Sequence, residues 1–221
     1  MKLEWDASGQ KTYETGVDHG VLYRRTVATG KYDKASVWNG LTSVTESPSG
    51  AEPNPQYADN IKYLNLISAE DFGGTIEAFT YPDDFAYCDG SAELAPGIMV
   101  GQQNREVFGL SYRTKVGNDV VGQDYGYKLH LVYGCQASVS ERAYSTINDS
   151  PEANTFSWEF TTTPVNVKDL KPTAIVTVDT TKLDENGKSK LKELEDILYG
   201  TEDTEAYLPL PDEVKEIFAA G

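Results

Sequence analysis

The sequence is poor in the side chains that carry most enzyme chemistry. Its 221 residues include two histidines and two cysteines, and no apolar run approaches the ~18 residues needed to cross a membrane as a helix. A serine or cysteine triad requires a histidine base. His19 falls in the turn signal Asp18-His19-Gly20 and His130 on the polar side of a strand pattern, so neither is placed for that role. Paired cysteines, a helically spaced histidine pair and a calcium-loop pattern are all missing. The sequence therefore predicts no catalytic residues, no metal and no cofactor. Basic clusters are missing too: 35 acidic against 19 basic side chains leave a net charge of −16. Gripping nucleic acid requires clustered Lys and Arg, whereas an acidic surface lets DNA pass without sticking. The first ten residues, MKLEWDASGQ, lack the apolar core of a signal peptide. Cys88 and Cys135 are accordingly expected as reduced, buried thiols of a protein folded in cytoplasm, a disulfide being the alternative. For the same reason the acceptor pattern Asn148-Asp149-Ser150 is expected to be idle.

What is present is the vocabulary of short strands. Fourteen tyrosines suit half-buried sheet faces and interfaces, and 19 glycines and ten prolines punctuate the chain. Period-two alternation sets Phe108, Leu110 and Tyr112 against Ser111 and Arg113. It likewise sets Tyr127, Leu129, Leu131 and Tyr133 against Lys128 and His130, and Phe156, Trp158 and Phe160 against Ser157, Glu159 and Thr161. One buried and one polar face per strand point to an antiparallel sandwich or barrel wall. A long hairpin is expected around Gly117-Asn118-Asp119 and Gly122, and a tight turn at Asn39-Gly40. Residues 46–60, ESPSGAEPNPQYADN, carry three prolines and no periodicity. They read as a long extended loop, either mobile or an arm ordered by a neighbouring subunit.

Three helices are expected. Tyr81–Gly90 has Pro82 at its first position, Asp83 and Asp84 at the positive end and Gly90 as its stop. Lys188–Tyr199 spaces Leu191, Leu194 and Leu198 helically before Gly200. The third is Pro211–Ala219. A boundary near residues 168–172 separates a β domain over 1–167 from a small α/β extension over 168–221, made of one strand and two helices. The fold class is thus mainly β, with one short packed helix and that extension.

Three segments carry a resemblance: TGVDHGVLYR (15–24), the block from VWNGLTSV to YCDGSAEL (37–94), and YGYKLHLVYG through TFSWEFTTTPV (125–165). Together with LYGTEDTEAYLPLPDEV near the C-terminus, they resemble the major tail proteins of long-tailed phages and prophages of Gram-positive bacteria. The resemblance implies a virion protein assembled in the host cytoplasm. In that family subunits form hexameric rings whose sheets join into an inner β-barrel, and the rings stack into a tail tube. The tape measure protein fills the lumen, tail terminator and distal tail proteins close the ends, and viral DNA passes through without specific binding. No membrane insertion is implied.

On this reading the polar strand faces supply lumen candidates: Glu77, Ser157, Glu159 and Thr161. The arm supplies contact candidates between subunits or rings: Glu46, Pro48, Pro53, Pro55 and Tyr57. Glu106, Arg113 and Lys128 are expected to pair between subunits. A register error of one residue would exchange every face assignment. The alternative is a β-sandwich that binds carbohydrate at a host surface, with Trp38 and Trp158 exposed for stacking.

Overall fold

In a computed structural model, which describes residues 3–147, 149 and 152–219, the chain is mainly β and antiparallel. In chain order the elements are β1 (Thr12–Arg24), β2 (Lys34–Trp38), β3 (Leu41–Glu46), β4 (Ser49–Gly50), β5 (Pro53–Ala58), β6 (Ile61–Ile67), β7 (Glu70–Asp71) and β8 (Gly73–Ala78). They continue with α1 (Phe85–Cys88), β9 (Ala92–Ala95), β10 (Ile98–Val100), β11 (Phe108–Asn118), β12 (Gly122–Ala137), β13 (Phe156–Thr162), β14 (Ile175–Asp179), α2 (Glu185–Tyr199) and α3 (Pro211–Ala219). Asn148 and Ser150 of the acceptor pattern lie outside the described residues.

One large sheet holds most of the chain, in the order β2-β1-β11-β12-β13-β8-β3, with β14 also pairing β12. The 16 residues of β12 reach three neighbours: β11 along one edge, then β14 at Lys128–Val132 and β13 at Cys135–Ala137 along the other. Gly134 marks the change of partner. Its φ is +63°, and a Cβ there would come within 2.1 Å of the Thr163 carbonyl oxygen, so only glycine fits. The strands β2 and β3 lie at opposite ends of the strand order, yet only Asn39 and Gly40 separate them. The predicted turn is therefore a corner at which the two ends of a curled sheet meet, not a hairpin between paired strands.

Curling gives the sheet an inner and an outer core. Inside sit Trp38, Ile76, Phe85, Phe108, Leu110, Tyr112, Val132, Trp158 and Phe160. Phe85 of α1 plugs this core, its ring 4.6 Å from Trp38, 5.1 Å from Trp158 and 5.6 Å from Phe108, centroid to centroid. These are favourable aromatic separations. Helix α1 is a single turn, shorter than the predicted 81–90, because the Asp84 carboxylate is engaged elsewhere and makes no side-chain cap. It accepts from the Arg24 guanidinium at 2.8 Å and from the Ser36 hydroxyl at 2.5 Å. Cys88 and Cys135 are free and buried in the same core, and burial raises the Cys88 thiol to about 12.

The outer core joins Val21, Tyr23, Leu129, Leu131 and Tyr133 to Leu191, Leu194 and Leu198 of α2 and Val214 of α3. Asp184 caps α2 by accepting from the Gly187 N–H at 2.7 Å, and Gly200 ends it at φ +77°. Tyr23 and Tyr133 donate from the sheet to the Leu198 and Pro209 carbonyls at 2.8 and 2.9 Å. The segment from Lys168 onward, expected as an appended unit, thus adds a strand to the main sheet and covers its outer face.

The expectation of an irregular loop over 46–60 is corrected. Pro53–Ala58 is strand β5, hairpinned with β6. The turn is Asp59-Asn60, both at positive φ (50° and 64°), the geometry of a two-residue hairpin turn. The prolines had masked a strand that tolerates them at its edge. Replacing Leu194 by Ala is expected to cost about 2–5 kcal/mol and to shift the whole protein's single unfolding transition in urea. An unchanged sheet transition beside a separate, weaker one would show that the helices fold independently.

Candidate functional site

Three surfaces hold the residues singled out by sequence. The first is the outward face of β3, β8 and β13. On β8, Gly74, Ile76 and Ala78 point to the inner core and Gly73, Thr75 and Glu77 away from it. On β13, Trp158 and Phe160 point inward and Ser157, Glu159 and Thr161 outward. Register then places Ser43, Glu77 and Ser157 in one row across the three strands and Thr45, Thr75 and Glu159 in the next. Thr161 lies opposite Gly73. The Ser43 hydroxyl donates to Glu77 at 2.8 Å. Glu77 and Glu159 are diagonal neighbours, a spacing of about 7–8 Å between their backbone positions. None of these positions carries Lys or Arg, so the face is hydroxyl-rich and anionic. All four predicted residues, Glu77, Ser157, Glu159 and Thr161, come together here.

The second surface is the β5–β6 hairpin, exposed at every residue. Tyr57 and Tyr63 are each 70% exposed and Ile67 68%. Apolar groups occupy both faces: Ile61, Tyr63 and Ile67 alternate with Leu64 and Leu66 along β6. The edges differ. Proline has no N–H, so the ladder of Pro53 with Ile67 and Pro55 with Asn65 must turn both prolines' missing donors away from β6. The outer edge of β5 is blunted, whereas that of β6 offers the N–H and C=O groups of Asn65 and Ile67. Pro48 is exposed between β3 and β4. The alternation in IKYLNLI reads as a strand from sequence; what no local pattern revealed is its pairing with the proline-bearing segment Pro53–Ala58.

The third group comprises the charges expected to pair between subunits, and within the chain each of them has a partner. Glu106 accepts twice from Arg24, at 3.0 and 2.9 Å. Arg113 donates to Asp18 at 3.0 Å and lies over the Tyr127 ring. Lys128 pairs with Glu14. Glu46, at the end of β3, accepts from the Tyr112 hydroxyl at 2.6 Å, and His130 Nδ1 lies 3.2 Å from the same oxygen. The His130 ring stacks on Tyr112 at 4.7 Å. Alternation tells which face a side chain takes, but these partners come from distant strands that only the topology brings near. Trp38 and Trp158, the proposed sugar platforms, are buried, at 2% and 1% exposure. No protein-family model matches the chain, and no curated protein is significantly similar to it.

His130, acting against partial burial and joined by the Tyr112 hydroxyl, holds the Glu46 carboxyl below its ordinary value. A carboxyl lowered in the folded state contributes stability above its unfolded pKa and loses it as pH falls through the folded one. Acid denaturation of Glu46→Gln is therefore expected to lack that contribution: the variant is less stable than the parent at pH 6, and the difference narrows as pH drops below about 4. Parallel stability curves for the two proteins would show that the Glu46 cluster does not titrate with folding.

Proposed function

We propose that the chain is a tail tube protein, the structural subunit of stacked rings that form the conduit of a phage tail and guide DNA out of the virion. The observation that carries this reading is the β5–β6 hairpin. An isolated two-stranded hairpin is marginal in water, and this one is apolar on both faces and uncovered by its own chain. It calls for neighbours on both sides, as a subunit inside an assembly has. One of its edges can accept a strand and the other cannot, which favours a directional contact of unlike surfaces, the kind that closes rings and extends stacks.

The acidic face of β3, β8 and β13 supports the same reading from the side of charge. The carboxylates of Glu77 and Glu159 repel phosphates, which works against a polyanion being held on this face. Screening over about 8 Å at physiological ionic strength limits this to charges close to the passing strand, which Glu77 and Glu159 would be if that face lines the lumen. Hexameric rings, the tape measure protein in the lumen, tail terminator and distal tail partners, the virion location and the absence of catalysis all belong to this proposal and rest on the resemblance.

Negative-stain microscopy of the purified protein is expected to show rings or tubes, and stable monomers at every concentration would sink the proposal. Glu77→Lys with Glu159→Lys is expected to leave tubes intact while slowing DNA ejection from reconstituted particles. Ejection at the parental rate would remove those two carboxylates from the conduit's lining.

A further inference from the structure

The dipeptide Asn-Gly occurs twice in the chain, at Asn39-Gly40 and at Asn186-Gly187. At such a pair an asparagine can react with its own main chain, because glycine has no side chain to shield the amide nitrogen that follows. Both asparagines are exposed, so access to water does not separate them. What separates them is how each Asn–Gly peptide is held.

The Asn186–Gly187 peptide lies in the first turn of α2. Its N–H donates to the Asp184 carboxylate at 2.7 Å, and its carbonyl faces along the helix, where the ladder takes it up from four residues on. Gly187 is closely packed as well: a Cβ there would lie 3.1 Å from Leu183 and 3.2 Å from the capping oxygen of Asp184. Turning this peptide toward the Asn186 side chain would break the cap and distort the turn.

The Asn39–Gly40 peptide sits at the corner between β2 and β3. Among the described residues, neither its N–H nor its carbonyl has a main-chain hydrogen-bond partner. The restraints lie on either side of it. The Gly40 carbonyl accepts from the Phe79 N–H at 2.9 Å, and the Trp38 indole donates to the Thr80 carbonyl at 3.1 Å. Gly40 has φ +74°, a turn conformation with no hydrogen bond to lose when the peptide rotates, so the local cost of opening is small.

We propose that Asn39 is a site of spontaneous modification, where the chain converts its own asparagine to isoaspartate and aspartate, while the fold protects Asn186. The Gly40 main-chain nitrogen gives up its proton to solvent base and attacks Cγ of Asn39. The new C–N bond closes a cyclic imide, and the side-chain amide takes up a proton and leaves as ammonia. Water then opens the imide. Attack at the main-chain carbonyl leaves the chain running through Cγ, as isoaspartate; attack at the side-chain carbonyl leaves aspartate. Water is the only co-reactant, nothing is oxidised or reduced, and either product adds a carboxylate to the acidic chain. Isoaspartate also lengthens the main chain by a methylene group at the corner where the two ends of the curled sheet meet. The inference goes beyond the proposed function and does not depend on how copies assemble.

The test incubates the full-length protein in mildly alkaline buffer and maps its peptides by mass spectrometry, with an isoaspartyl methyltransferase as the probe for isoaspartate. Asn39 is expected to convert faster than Asn186 by about ten-fold or more, the scale on which holding or losing an N-cap matters, and in urea the two rates converge. Equal rates in the folded protein overturn the inference, as does an intact Asn39 under conditions in which the unfolded chain reacts there. Asp184→Ala is expected to raise the Asn186 rate and leave that of Asn39 unchanged; an Asn186 rate that does not move overturns the cap as the cause of its protection. The isoaspartate fraction is expected to unfold at lower urea than Asn39→Asp, which adds the charge without the methylene. Equal midpoints would overturn the coupling of this corner to the core.

Discussion

Everything in this molecule depends on β12 being paired along both edges and buried on both faces. Its odd-numbered residues Leu129, Leu131 and Tyr133 belong to the outer core, while Val132, Cys135 and Ala137 belong to the inner one. From Leu129 to Cys135 the strand has no solvent side, and His130 is the one exception to a stretch of apolar, tyrosine and glycine residues before Cys135. The switch at Gly134 lets one strand serve two different neighbours on the same edge. Without it, β14 and β13 could not both join the sheet, and the curl that creates the inner core would lose half its wall.

That curl explains the division of labour between the two sides. The inner core is filled by aromatic rings and closed by one turn of helix, so it needs little chain to seal it. The outer face is flatter and takes two helices, capped at Asp184 and Gly200 for α2, whose leucines complete a second layer. Covering that face leaves the outward side of β3, β8 and β13 as the stretch of main sheet whose alternation ends in water, and it is there that Ser, Thr and Glu accumulate. The polar surface is a consequence of the topology as much as of composition.

The central strands, the two longer helices and the four residues of the polar face were legible in the sequence because each rests on periodicity, which is local. Ser157, Glu159 and Thr161 could be assigned a common side from β13 alone, and Glu77 follows from the neighbouring alternation. What was not legible rests on distance. Glu46 meeting Tyr112 and His130, Arg24 holding both Glu106 and Asp84, and β14 pairing inside the main sheet all join residues far apart in the chain, which no pattern within a window can report. The arm failed for a different reason. Pro53 and Pro55 are strand breakers in a central position but acceptable on an edge, and only the pairing with β6 reveals that the edge is where they sit.

Those two prolines set a chemical difference between the hairpin's edges. At Pro53 and Pro55 the free edge of β5 presents carbonyl groups without donors, whereas β6 presents both at Asn65 and Ile67. A strand laid against this hairpin would find a full ladder on β6 and half of one on β5. The missing hydrogens point away from the partner strand, so the asymmetry costs the hairpin's own pairing nothing.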